Sequence, residues 1–241
     1  MSNGAITDFK IGDILVRGFE VLRRNATTFG TLSVLFMLVP FGAGLMMVTR
    51  VVAGGGGAVA FYALIVLWIV LYFLLFATLT HGTICDLRGT PARIGESLRW
   101  GRAVLFPVIG ITFVATAGAG LGAILLLIPG LLLMTMWWVA VPVAVIERTG
   151  VLASLRRSAE LTRGYRWRVF GVIAVVYLGQ IVLEMLTNFI LTGAPIFRHF
   201  AGFMVTVAAT AYFAVVTAVC YHDLRVLKNG VGVNEIARGF D

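Results

Sequence analysis

From Ala103 to Ile146 the chain runs for 44 residues without a single Asp, Glu, Lys, Arg or His. As one straight helix, rising 1.5 Å per residue, this run would be about 66 Å long, roughly twice the hydrocarbon thickness of a bilayer. It must therefore fold back. Ile128-Pro129-Gly130 is the predicted corner, because Pro removes a backbone donor and Gly permits unusual dihedrals. Four further stretches of span length flank this hairpin, at about 27–48, 59–80, 169–191 and 201–221, with the glycine run Gly54–Gly57 separating the first two. The expected fold is all-α, a six-span transmembrane helical bundle in a single integral membrane domain over residues 1–241.

Composition points the same way. The chain is 60% hydrophobic and 12% charged, with a mean hydropathy of +0.98. That leaves too little polar surface to clothe a water-exposed globule. Disorder, a secreted disulfide scaffold and an ordinary soluble enzyme are excluded. The net charge of +8 would suggest nucleic acid in a soluble protein, but the placement of the bases says otherwise. Lys10, Arg17, Arg23 and Arg24 precede the first span. Arg88, Arg93, Arg99 and Arg102 follow the second. Arg148, Arg156, Arg157, Arg163, Arg166 and Arg168 follow the fourth, and Arg225, Lys228 and Arg238 follow the sixth. Of 19 bases, 17 fall on one side; only Arg50 and Arg198 fall on the other. The positive-inside rule then makes both termini cytoplasmic. The N-terminal segment does not read as a signal peptide, since Asp8, Asp13 and Glu20 lie in it and the apolar run starts late. Cys85 and Cys220 lie near predicted cytoplasmic span ends, where a disulfide is not expected. They and the scattered His81, His199 and His222 form no metal signature, and no cofactor motif is visible.

Three stretches before the odd-numbered spans share one pattern. Ile11, Ile14, Leu15, Gly18, Phe19 and Leu22 recur at helical spacing opposite Lys10, Asp13, Arg17, Glu20 and Arg24, with Asp13/Arg17 and Glu20/Arg24 as i,i+4 pairs. Thr90-Pro91 starts a second such helix, with Ile94 and Leu98 opposite Arg93, Glu96 and Arg99. Val151, Leu152, Leu155 and Ala159 form the third stripe, opposite Arg156, Arg157, Glu160 and Arg163. These predict three amphipathic helices at the cytoplasmic interface. They serve as elbows for the next span, with arginines toward anionic headgroups. The even-numbered spans end alike, in Asp86-Leu87-Arg88-Gly89, Glu147-Arg148-Thr149-Gly150 and Asp223-Leu224-Arg225. Two spans per unit restore the starting side. The expectation is a three-fold parallel internal repeat, roughly 9–80, 90–147 and 150–221, followed by a cytoplasmic tail over 222–241 containing Glu235 and Arg238.

Several pieces together resemble a known family. They are Ile128-Pro129-Gly130, Pro142, Glu147, Leu155-Arg156-Arg157-Ser158, Leu161-Thr162-Arg163-Gly164, Trp167 and Tyr221-His222-Asp223-Leu224-Arg225. The chain is similar, from Ile11 onward, to the membrane domain of bacterial glycerophosphoryl diester phosphodiesterases and to related stand-alone multi-pass membrane proteins. The resemblance implies a six-span helical domain of the bacterial cytoplasmic (inner) membrane. It does not imply phosphodiesterase activity, which in that family belongs to a separate soluble barrel.

Two constellations are candidate sites. Tyr177, Gln180, Glu184 and Asn188 form one polar row in the fifth span, and Glu184 is the one acid inside a predicted span. A charge at that depth needs a partner, and Arg50 and Arg198 are the bases on its side. The row reads either as a substrate or proton site, or as a buried Glu–Arg pair or interhelical hydrogen bonds fixing the bundle. The second constellation is the cytoplasmic ring of Asp86, Arg88, Glu147, Arg148, Asp223 and Arg225, either a gate or anionic-ligand site, or salt bridges at helix ends. Gly118 and Gly122 form a small-xxx-small spacing that admits a close helix neighbour, from this chain or another copy. No nucleophile–base pair or Walker loop is visible. The expected function is non-catalytic: a lipid-associated scaffold or accessory subunit of a membrane complex, with anionic lipids, protein partners or a second copy of itself as its contacts. The alternative is a small transporter or permease using Glu184 and the ring.

Overall fold

The computed structural model describes residues 8–52, 58–89, 94–125 and 127–229, and every regular element among them is helical. The order is α1 (Ile11–Arg24), α2 (Ala26–Val52), α3 (Ala58–Leu87), α4 (Ile94–Ala103), α5 (Leu105–Leu125), α6 (Leu127–Trp137), α7 (Ala140–Glu147), α8 (Val151–Thr162), α9 (Arg166–Ile190) and α10 (Pro195–Asn229). Four helical stretches are long and apolar enough to cross a membrane: Tyr62–Leu87, Gly130–Glu147, Arg166–Ile190 and Ile196–Lys228. The other two predicted spans fall on α2 and α5. Their described apolar portions, Ala26–Val39 and Leu105–Ala115, are shorter than a span. The Gly54–Gly57 run, Thr90-Pro91, Arg93 and the tail with Glu235 and Arg238 lie outside the described residues, as do the side chains of Arg50, Ile94, Glu96, Leu98 and Trp100 and the surroundings of Gly122.

Prolines decide where the helices break. Pro cannot donate to the carbonyl four residues back, and its ring collides with that carbonyl, whereas the first turn of a helix tolerates it. Pro107 is the third residue of α5, and α4 ends four residues before it, at Ala103. Pro129 is the third residue of α6, and α5 ends four residues before it, at Leu125. α5 thus ends at Leu125 and α6 starts at Leu127, so the predicted corner at Ile128-Pro129-Gly130 lies within the first turn of α6. Pro142 is the third residue of α7 and splits the fourth apolar run at Trp138-Val139, a break the uniform hydropathy did not announce.

The split leaves carbonyls at the end of α6 without their helical donors, and α8 supplies replacements. Ser158 Oγ donates to the Met136 carbonyl at 2.7 Å, and Thr162 Oγ1 approaches the same oxygen at 3.4 Å. This explains a difference from the predicted face of α8. The buried side is Ser154, Leu155, Ser158, Leu161 and Thr162, while Leu152 is exposed. In α1, Ile14, Gly18 and Val21 are buried, and Phe19, on the expected apolar face, is 58% exposed.

A continuous core gathers α1, α2, α3, α7, α8 and α9 around the C-terminal half of α10, where Val215, Val216, Ala218, Val219 and Tyr221 are buried. A smaller cluster packs Val104, Val108 and Ile111 against Ala140, Ala144 and Leu155. Close approaches hold the elements together. A Cβ on Gly18 would meet Val216 of α10 at 2.8 Å, and one on Gly101 would meet Thr78 of α3 at 2.7 Å. Gly118 faces Trp137 of α6, so its close neighbour is intramolecular.

Candidate functional site

The acids at the ends of α3, α7 and α10 gather partners from other elements. Asp223, whose side chain is 2% exposed, is paired by Arg17 of α1, and His222 Nδ1 lies 3.4 Å from its other oxygen. Asp86 is bound by Arg24 Nη2 at 2.6 Å and by Asn25 Nδ2 at 2.9 Å, both from the end of α1. Glu147 lies 3.6 Å from Arg157 Nε of α8 and accepts a 3.0 Å hydrogen bond from the Tyr221 hydroxyl. Arg225 Nη1 in turn donates to that hydroxyl at 3.2 Å. Asp86 and Glu147 sit at helix C-termini, where a carboxylate opposes the helix dipole, so an arginine from a neighbouring element offsets both charges.

These partners differ from the expected ones. Arg17 gives Asp13 only a contact from Nε to the backbone carbonyl, at 3.4 Å, and Arg24 is committed to Asp86 rather than Glu20. Arg88 is exposed, Arg148 is exposed at the left-handed end of α7 (φ +50°), and Arg225 serves Tyr221. Arg17, Arg24, Asn25, Arg157 and Tyr221 lie outside the ring that the span ends alone predict. The signal available for two of them was position: Arg17 and Arg157 each immediately precede a small residue, Gly18 and Ser158.

On α9, Gln180 Nε2 donates to Glu184 Oε1 at 2.9 Å, and Asn188 Nδ2 donates to the Glu184 backbone carbonyl at 2.8 Å. Tyr177 packs its ring edge-on against Trp138 and Phe213. Gln180 and Glu184 are half-buried and continue the row of the buried Ile173 and Val176. Among the described residues Glu184 makes no ion pair with Arg198, and the side chain of Arg50 lies outside them.

A third feature lies where α8 turns into α9. The left-handed Gly164 (φ +91°) makes the turn, a conformation that favours glycine. It opens a cleft of about 680 Å³ lined by Arg156, Arg163, Arg166, Glu160, Trp167 and Leu132, among others. Arg156 Nε lies 3.3 Å from Glu160, whereas Arg166 Nε is buried and has no hydrogen-bond acceptor among the described residues. Beside it, Arg168 is paired to Asp8. That hydrogen bond, with a second from the Phe9 N–H at 2.8 Å, holds Asp8 below the ordinary carboxylate value. Among the described residues no group of three or more His, Cys, Asp or Glu is placed to hold a metal ion.

Fold and composition thus define an all-helical chain with four helices long and apolar enough to cross a membrane. In comparisons with known proteins, no family model, no curated protein and no solved structure matches it.

Proposed function

We propose that this chain is a six-span, non-catalytic protein of the bacterial cytoplasmic membrane, with both termini inside, acting as a lipid-associated scaffold or accessory subunit of a membrane complex. The observation that carries this reading is the use made of the acids at the basic end. Asp86, Glu147 and Asp223 are each held by an arginine from another element. They are spent on joining α1 and α8 to the ends of α3, α7 and α10, an architectural task.

The three-fold repeat belongs to the same proposal. Ile14-Gly18-Val21, Ser97-Gly101-Val104 and Ser154-Ser158-Leu161 share the spacing i, i+4, i+7, and all nine residues are buried. The middle residue of each triplet contacts the even-numbered span of the preceding unit: Gly18 on α10, Gly101 on α3 and Ser158 on α6. The contact of α1 with α10 would close such a ring. The residue before the middle one is Arg17, Trp100 or Arg157. The second unit thus has no arginine at that point, and Asp86 draws on Arg24 of α1 instead. The resemblance to the glycerophosphoryl diester phosphodiesterase membrane domain fits here too. Its best-matching segment contains Pro142, Ser158 and Thr162, which make and clamp the α6–α7 break.

Purification of the tagged chain from its native membrane in mild detergent tests the accessory role. A second protein in constant stoichiometry is expected; a chain that purifies alone from every preparation would count against it. One observation favours transport as a second reading: Glu184 lies on the inward row of α9 with Gln180 as its described side-chain partner. Under that reading, proteoliposomes would show proton or solute flux that Glu184→Gln abolishes.

A further inference from the structure

We propose that the cleft between α8 and α9 is a binding site for the phosphate headgroup of an anionic phospholipid. The inference rests on the reading that the basic end of the molecule meets the anionic leaflet, and it assigns that contact to one place. Arg156, Arg163 and Arg166 line the cleft against one acid, Glu160, which already faces Arg156 and Arg157. Arg163 and Arg166 make no ion pair among the described residues. The Nε of Arg166 is sealed from solvent and has no acceptor among the described residues, so this guanidinium is held at the cleft with no internal counter-charge there. A phosphate oxygen is a suitable acceptor, because guanidinium groups bind phosphate through paired, charge-assisted hydrogen bonds. The start of α9 adds to the attraction, since Tyr165 offers no side-chain cap and the positive end of the helix dipole is left uncovered.

The apolar part of the cleft selects a lipid over a soluble phosphate. Trp167 is 84% exposed and Leu132 is 41% exposed, and both flank the arginines. An indole beside guanidinium groups is what a headgroup–acyl boundary requires: an amphipathic ring at the interface and cations at the phosphate. The headgroup would lie between Arg163 and Arg166, with the glycerol and upper chain against Trp167 and Leu132.

Full-length protein in detergent, titrated with phosphatidylglycerol or phosphatidylcholine and read by native mass spectrometry, tests the assignment. The wild type should retain phosphatidylglycerol in preference to phosphatidylcholine. The variant R156Q/R163Q/R166Q should weaken that retention by about tenfold or more. The control R23Q/R99Q/R102Q, which removes the same charge from exposed positions, should change it by less than about threefold. Equal loss in both variants would overturn the site while leaving general lipid association standing; no preference in the wild type would overturn both. Glycerol 3-phosphate at millimolar concentration should not displace the lipid. Displacement would show a soluble-anion site and overturn the lipid assignment. Should the triple variant fold poorly, Arg166→Lys keeps the charge and removes the planar fork; an unchanged retention there would also overturn the proposal.

Discussion

At the scale of single residues, the ion pairs at the basic end differ in kind although they look alike in sequence. Asp223 is nearly sealed from water and Arg17 is about one third exposed, so the pair must be kept whole: removing one partner strands a desolvated charge. Arg17→Ala should therefore lower stability in detergent by about 3 kcal/mol. R17A/D223N should recover most of that loss, because it removes the stranded charge. Arg156→Ala, at a pair whose arginine is 85% exposed, should cost less than about 1 kcal/mol. Chemical denaturation of the three variants checks the order; equal costs for Arg17→Ala and Arg156→Ala would refute it. Asp8 makes a pH-dependent contact. Its carboxyl is held below the ordinary 3.8, chiefly by the Arg168 hydrogen bond and then by the Phe9 N–H. A lowered folded value means the contribution is complete above the unfolded value and is lost only as the pH falls through the lowered one. The Asp8–Arg168 contact should thus be constant from pH 8 down to about 5. A carboxyl chemical-shift titration should find the Asp8 midpoint below 3.8, moving up toward it in Arg168→Gln; an unmoved midpoint would show that the arginine is not the cause.

At the scale of elements, most helices were legible because apolar run length is a direct record of burial or bilayer contact. What hydropathy could not carry was the direction each short helix faces. In α1 the expected i,i+4 pairs would be worth a few tenths of a kcal/mol, too little to compete with a buried Asp223 that needs Arg17. In α8, the expected stripe of Val151, Leu152, Leu155 and Ala159 leaves out Ser158, yet Ser158 is wholly buried. The signal lay elsewhere in the chain, in Pro142, whose break frees the Met136 carbonyl that Ser158 serves. The two residues should therefore be energetically coupled. Ser158→Ala should cost about 1–2 kcal/mol in the native background, by leaving the partly buried Met136 carbonyl with only the long 3.4 Å approach of Thr162 Oγ1. In a Pro142→Ala background the run from α6 to α7 can become continuous, and the Ala140 N–H can take the Met136 carbonyl. Ser158→Ala should then cost roughly half as much or less. A double-mutant cycle on unfolding free energies measures the coupling, and strictly additive costs would show that the hydroxyl does not substitute for a lost helical bond. The Glu184 row was legible as a row, but its partner was not. Gln180, one turn back on the same helix, meets a carboxylate oxygen that the sequence had offered to distant arginines.

At the scale of the whole molecule, the distribution of charge becomes a statement about which way the protein lies. α10 runs 35 residues, about 52 Å, well beyond a hydrocarbon core of roughly 30 Å. It must therefore project from the bilayer on at least one side. Its buried polar end, with Tyr221 and Asp223, is where α1 and α7 converge through hydrogen bonds and ion pairs. A convergence of charged partners of that kind is favourable in water or at the headgroup level and costly at mid-membrane, so α10 should project at its C-terminal end. The opposite end of the molecule, by contrast, has the turn at Leu191–Gly193 between α9 and α10, where Thr192 is exposed. The proposed six spans with both termini inside would put these two ends on opposite faces. In a background lacking Cys85 and Cys220, a cysteine at Thr192 should react with a membrane-impermeant maleimide added outside intact cells. A cysteine at Ala153, exposed on α8, should react only after permeabilisation. Reversal of both labels would invert the orientation inferred from the bases. Labelling of both from one side would remove an odd number of crossings between α8 and the α9–α10 turn, and with it the six-span reading.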